Sequence, residues 1–219
     1  MTPHRPLPPM ASVAHPGEGA RLHAPSAARN AGPIAQALCD IAPVTGRALE
    51  LASGTGQHVV AFARALPGLA WQPTEIDPAR RASIDAYVAD AGLPNLSPAR
   101  PLDATAPGWG AAHAGQGLIV LVNLLHLITT PEARIVVAEA AQALASGGCL
   151  AVYGPFLRDG QATSEGDARF DARLRAPGHG IGYKDLAEVS GWFESAGLAP
   201  KETREMPANN LLLTASRPA

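Results

Sequence analysis

The apolar positions of this chain switch repeatedly between short continuous runs and longer stretches with one apolar residue every three or four positions. Residues 47–51 read as a strand. Val59, Val60, Phe62, Ala63 and Leu66 then make the stripe of a helix that opens at about Gln57. The same switch recurs, with a second strand over 69–75, a helix over 79–91, a third strand over 95–102, a helix over 131–144 ended by Gly147 and Gly148, and a fifth strand over 149–153. Residues 118–123 are apolar throughout, as expected of a central parallel strand covered on both faces. Upstream, Ser26 is placed to cap a helix through Ala28 and Arg29, and Pro33 to start a second one carrying Ile34, Leu38 and Ile41. Downstream, 154–182 is polar without a period, a helix covers 184–196, and two strands flank the turn at 206–210, short enough to make them antiparallel neighbours. The alternation predicts an α/β fold with a mostly parallel sheet and helices on both faces.

The stretch Glu50-Leu51-Ala52-Ser53-Gly54-Thr55-Gly56-Gln57-His58 joins the first of these strands to its helix. Glycines there let a ligand approach the backbone, and the first N–H groups of the helix point at whatever lies above the strand end. A dinucleotide fingerprint needs a third small residue where this chain has Val59, and Glu50 before the turn repels a pyrophosphate but not an ammonium or sulfonium group. The turn therefore favours S-adenosylmethionine over NAD. A glycine-rich turn without a ligand is the bland alternative.

Composition narrows the partners. With 219 residues, the chain fits one domain over 25–219, preceded by a Pro-rich tail over 1–24 that cannot bury apolar area and is expected to be mobile, with Met10 as a second candidate start. The net charge is −2 with 16% charged residues and no basic cluster, which leaves no electrostatic footprint for nucleic acid. No long apolar run marks a membrane span or a leader, and Cys39 and Cys149 show neither disulfide nor zinc spacing, so a cytoplasmic protein without a metal is expected, as monomer or homodimer.

In an open parallel sheet the ligand lies beyond the carboxyl ends of the strands. Glu75 ends the second strand about 20 residues past the turn, where a carboxylate accepts both ribose hydroxyls; Asp77 shares that role or caps the helix that follows. Asp103 ends the third strand and accepts from an adenine amino group or serves as a turn residue. In this order Glu50-Leu-Ala-Ser-Gly-Thr-Gly56, Glu75, Leu102-Asp103-Ala104-Thr105 and Asn123-Leu-Leu-His126 resemble the cofactor motifs of class I S-adenosylmethionine-dependent methyltransferases. More narrowly, Ser26-Ala-Ala-Arg29-Asn30, Gly54-Thr-Gly-Gln-His58, Trp71-Gln-Pro73, Ile76-Asp-Pro78, Tyr153-Gly-Pro-Phe156, Arg158-Asp-Gly160 and Met206-Pro-Ala-Asn-Asn-Leu-Leu-Leu213 resemble the DUF938 family, which includes methyltransferase-like protein 26.

The resemblance implies a seven-stranded sheet with one antiparallel strand, S-adenosylmethionine as cofactor with S-adenosylhomocysteine as product, and Glu50, Ala52, Gly54, Gly56, His58, Glu75, Asp77, Asp103, Ala104 and Asn123 around it. This chain departs from the family pattern at Ala52, Ala28 and Gly117. Methyl transfer needs alignment of an acceptor more than a dedicated nucleophile. Candidates at the acceptor are Arg29, Asn30, His126, Tyr153, Phe156, Arg158, Asn209 and Asn210, with the polar 158–173 loop folding over it or lying on the surface. His126 could be a general base at neutral pH, with Tyr153 beside it, or a core histidine; Arg29 could hold a carboxylate or make a surface ion pair. The expected function is methyl transfer to a small molecule, with a non-catalytic cofactor-binding protein or an NAD-linked oxidoreductase as alternatives.

Overall fold

The computed structural model describes residues 13–219. A small hairpin, β1 (His15–Pro16) and β2 (Leu22–His23), leads into helix α1 (Pro25–Ile41). Strand and helix then alternate through β3 (Gly46–Leu51), α2 (Gln57–Ala65), β4 (Leu69–Pro73) and α3 (Pro78–Ala91). A single turn, α4 (Trp109–Ala112), precedes β5 (Gln116–Val122), α5 (Thr130–Ala143) and β6 (Leu144–Gly154). The chain closes with β7 (Phe156–Leu157), α6 (Glu165–Arg175), β8 (Lys184–Asp185), α7 (Leu186–Ser195), β9 (Ala199–Glu205) and β10 (Leu211–Ser216).

The main sheet has the order β4-β3-β5-β6-β10-β9. β4, β3, β5 and β6 are parallel, and β10 runs antiparallel to both of its neighbours. The sequence predicts seven strands and the sheet has six. Residues 95–100 do run beside β4, with Ser97 N–H donating to the Trp71 carbonyl and Arg100 N–H to that of Pro73. Pro98 and Pro101 have no N–H to give, and the pairing shrinks to isolated bridges at Trp71–Leu96 and Thr74–Arg100.

Alternate residues of each strand feed two cores. Leu49, Leu51, Ile119, Leu121, Leu150 and Val152 pack under α5 and α7, while Ala48, Leu118, Val120, Ala151 and Tyr153 pack under α1, α2 and α3. Leu118 to Leu121 are completely buried, so the apolar run is the sheet's centre, as the pattern predicts.

Three local expectations are corrected. α1 is one helix, not two: Pro25 occupies its first turn, Ala24 rather than Ser26 stands at the N-cap, and Pro33 lies inside. The polar segment after β6 holds α6, capped by Ser164 and complemented by Glu165 and Asp167 at its start and Arg173 and Arg175 at its end. Gly147 and Gly148 lie inside β6 rather than ending a helix.

Residues 1–12, Met10 among them, lie outside the described residues. Apart from the buried Ala24, residues 13–24 are tied down by polar contacts. Leu22 N–H donates to Ser83 Oγ, Ala24 N–H to Gln57 Oε1, and Arg21 pairs with Asp90 at 3.0 Å. Among the described residues no helix is long and apolar enough to cross a membrane.

Candidate functional site

The parallel strands all end at one edge, and the antiparallel β10 starts there, so five consecutive strand ends meet in the order Glu75, Ala52, Asn123, Tyr153, Asn210. A cavity of about 960 Å³ lies over this edge, within the range of sites for cofactor-sized molecules. It is lined by Ala52, Gly54, His58, Glu75, Asp77, Asp103, Ala104, Asn123, Arg29, Asn30, His126, Tyr153 and Asn210 of the expected residues.

At the β4 end the Glu75 carboxylate is set by backbone. Gly54 N–H donates to its Oε2 at 3.0 Å, and the N–H groups of Ile76 and Asp77 donate to Oε1 at 2.8 and 3.1 Å. Oε1 spends both of its lone-pair sites on the Ile76 and Asp77 N–H groups, and Oε2 keeps one beyond the Gly54 N–H. Asp77 caps α3 through Ala79 and Arg80 N–H while lining the same cavity. Asp103 accepts from Thr105 N–H and Oγ–H, which turns the chain so that Ala104 and Thr105 close this end. For Asp77→Ala, loss of the cap should cost about 1 kcal/mol in a urea melt. A large fall in ligand affinity with unchanged stability would instead make Asp77 the ribose contact.

The turn divides its labour between its small residues. Ala52 takes a left-handed φ of 50°, and Gly54 a φ of 60° with only ordinary van der Waals neighbours for a would-be Cβ, Arg80 Nη1 at 3.6 Å the nearest. Gly56 is absent from the cavity: its φ is 93°, and a Cβ there would lie 2.8 Å from Ile84 Cα. It serves the close packing of α2 on α3, not the ligand.

Four further expectations are corrected. Glu50 points into the core on the face shared with Ala48 and Trp71; its side chain is 1% exposed and Oε2 has no hydrogen-bond partner among the described residues. Phe156 packs in the core under α5 and α7. Arg158 pairs with Glu205 at 3.1 Å away from the cavity, and Asn209 donates to Asp167 Oδ2 at 2.9 Å, behind the lining.

At the β6 end, His126 packs edge-on against Phe170 and Tyr183, with ring centroids 6.1 and 5.9 Å away. Burial, reinforced by the nearby Lys184 charge, lowers its pKa to about 3, so it is neutral at pH 7 and has little pull for a proton. This fits the core-histidine alternative better than a general base. Asp167 and Phe170, inside the 158–173 segment expected to fold over the acceptor or lie on the surface, line the cavity, as does Tyr183, which the sequence reading does not single out. The one sequence signal for the first two is the Phe170–Leu174 spacing on a helix with a single buried residue.

Buried ionisable groups set a pH optimum for stability. Burial raises the Glu50 pKa from 4.5 to about 8, so between those values the native state holds a proton that the unfolded chain releases and stability falls as pH rises. Burial lowers His58 and His126 from 6.5 to about 4 and about 3, so stability is lost as pH falls below 6.5. Stability is expected to peak near pH 6.5. Denaturant melts of Glu50→Gln should lose the decline between pH 6.5 and 8; an unaltered decline would contradict a protonated Glu50.

The family model described as "Protein of unknown function (DUF938)" matches residues 21–217. Among solved structures the chain is similar to an O-methyltransferase family protein from Burkholderia thailandensis, with TM-score 0.75 and 21% identity over 87% of this chain and 57% of that one. It is also similar to an O-methyltransferase family 2 protein from Planctomyces limnophilus in complex with apigenin, with TM-score 0.72 and 20% identity over 87% and 59%. A third is the mitomycin 7-O-methyltransferase, with TM-score 0.73 and 18% identity over 88% and 54%. The chain shares their Rossmann-like fold and spans little more than half their length.

Proposed function

The chain belongs to the DUF938 family, and we propose that it is an S-adenosylmethionine-dependent methyltransferase acting on a small molecule. The observation that carries this reading is the Glu75 carboxylate, held by three backbone N–H groups at the β4 end of a cavity that also contains the glycine turn. The residues fit the cofactor: Glu75 would hold the ribose, the Asp103–Thr105 turn the adenine, and the Ala52–Gly54 backbone the amino-acid portion. When bound, the cofactor supplies a methyl group on a sulfonium sulfur, which passes in line to an acceptor lone pair while the S–C bonding electrons stay on sulfur. The protein's share is alignment and exclusion of water.

The acceptor end supports a small molecule. Arg29 is exposed to the cavity with no ion pair among the described residues, and α6 together with the 207–210 turn walls that end. Binding of apigenin by the Planctomyces protein is in keeping with a small acceptor.

The test is transfer of labelled methyl from S-adenosylmethionine into a small-molecule extract. Label in that fraction is expected; label only in tRNA or protein, or none, would overturn the reading. Arg29→Ala should lower turnover at least about tenfold while leaving S-adenosylhomocysteine affinity within a few fold. Arg158→Ala, which breaks an ion pair outside the cavity, should change neither.

A further inference from the structure

We propose that Asp167 and the rings of His126, Phe170 and Tyr183 form a subsite for a protonated amine, and that the methyl acceptor is a small molecule held by such an ammonium group. All four side chains line the cavity. His126 comes from the Leu125–Leu127 turn after β5, Asp167 and Phe170 from α6, and Tyr183 from the position before β8. The centroids of the His126–Phe170, His126–Tyr183 and Phe170–Tyr183 pairs are 6.1, 5.9 and 6.1 Å apart, with planes inclined by 65°, 67° and 59°. No ring lies flat on another, so the three make a corner of π surface rather than a closed stack. A cation is attracted to such surface, and a neutral group of the same size is not. Burial keeps His126 itself neutral, so it adds no repulsion.

The carboxylate beside these rings lacks a counter-charge. Asp167 Oδ2 accepts from Ser164 Oγ–H at 2.7 Å and Asn209 Nδ2–H at 2.9 Å, which fills both of its lone-pair sites; Oδ1 accepts from Tyr183 Oη–H at 3.3 Å and keeps one. The start of α6 uses Oδ2 and the Asp167 N–H, so capping leaves Oδ1 out. All three partners are neutral, and among the described residues no Lys or Arg pairs with Asp167. The cations of the neighbouring segments are directed elsewhere: Arg169 to Glu165, Arg175 to Asp171, and Lys184 Nζ to the carbonyls of Ile128 and Gly182. Arg173 lies 5.8 Å over the Phe170 ring and is not part of the cavity wall. Arg29 and Arg80, which do line the cavity, belong to α1 and α3 rather than to the elements of the subsite. An ammonium N–H donated to Oδ1 supplies the missing charge and meets the rings at once. An ammonium nitrogen has no lone pair, so it is the handle of the acceptor and the methyl group goes to another of its atoms.

The subsite is a property of the ligand-free protein; only the identification of its guest as the methyl acceptor rests on the proposed function. Benzylammonium and benzyl alcohol, which differ in the charge of the head group, are titrated separately at pH 7 into the full chain with carbon-13-labelled aromatic rings. Benzylammonium should shift the Phe170, Tyr183 and His126 resonances, and benzyl alcohol should bind at least about tenfold more weakly. Equal responses, or none to benzylammonium, would overturn the proposal. Asp167→Asn should weaken benzylammonium binding at least about tenfold, whereas Ser164→Ala, which disturbs the same helix start but keeps the carboxylate, should stay within about threefold of wild type. Equal losses in the two variants would reduce Asp167 to a cap and overturn the subsite, as would no loss in either. Asp167→Asn should also leave the affinities for S-adenosylmethionine and S-adenosylhomocysteine unchanged within about threefold. A selective loss of S-adenosylmethionine would make the cluster a site for the cofactor's own sulfonium and overturn the amine assignment. Benzylammonium binding without S-adenosylhomocysteine binding would refute the methyltransferase reading and leave the subsite standing.

Discussion

Glu75→Ala is expected to lose both cofactor affinity and stability. The wild-type carboxylate accepts from the N–H groups of Gly54, Ile76 and Asp77, and removal leaves these three donors at a site 5% exposed without their partner. Orphaning buried donors costs about 1–3 kcal/mol each where water does not replace the acceptor, and losing a carboxylate that holds ribose hydroxyls weakens binding by about 1.5–3 kcal/mol. A urea midpoint and a calorimetric titration with S-adenosylhomocysteine separate the two effects. Lower stability with unchanged affinity would show that Glu75 merely staples the turn, and the ribose contact would have to move to Asp77.

Gly56→Ala should lower stability without touching the cavity. The new Cβ would sit 2.8 Å from Ile84 Cα, a backbone atom that cannot swing aside, on a residue with φ of 93°. Overpacking costs about 1–3 kcal/mol and the left-handed backbone about 1–2 more, which for a chain of this size lowers the melting temperature by roughly 4–20 °C. Gly54→Ala, whose Cβ would meet nothing closer than Arg80 Nη1 at 3.6 Å, should cost only the backbone share. Equal losses at the two positions would contradict the division of roles within the turn.

The unit from β3 through the turn to α2 was legible because it is local: an apolar strand, two glycines and a helical stripe are neighbours in sequence. Glu50 was misplaced because the chemistry of an acid before the turn was read without its strand parity; one residue short of the strand end, it shares a face with Ala48 and points into the core. Phe156, Arg158 and Asn209 entered through motif membership, which says nothing of side-chain direction, and each turns to a protein partner instead. The missing seventh strand turns on Pro98 and Pro101, whose lack of N–H outweighs an otherwise extended pattern. α6 buries only Leu174, so no stripe announces a helix within the 158–173 segment, and it is this helix that brings Asp167 and Phe170 to the cavity. Asp77 is the cap at the start of α3 that one of its two readings expects, and it also lines the cavity.

The central claim is that the cavity over the strand ends is an S-adenosylmethionine site. It is tested most directly by isothermal calorimetry of the full chain with S-adenosylhomocysteine and, separately, with NADH, supported by melting curves. The account predicts saturable one-site binding of S-adenosylhomocysteine, a melting temperature that rises with its concentration, and neither response to NADH. No heat and no thermal shift at millimolar S-adenosylhomocysteine, or a response to NADH in its place, would contradict it.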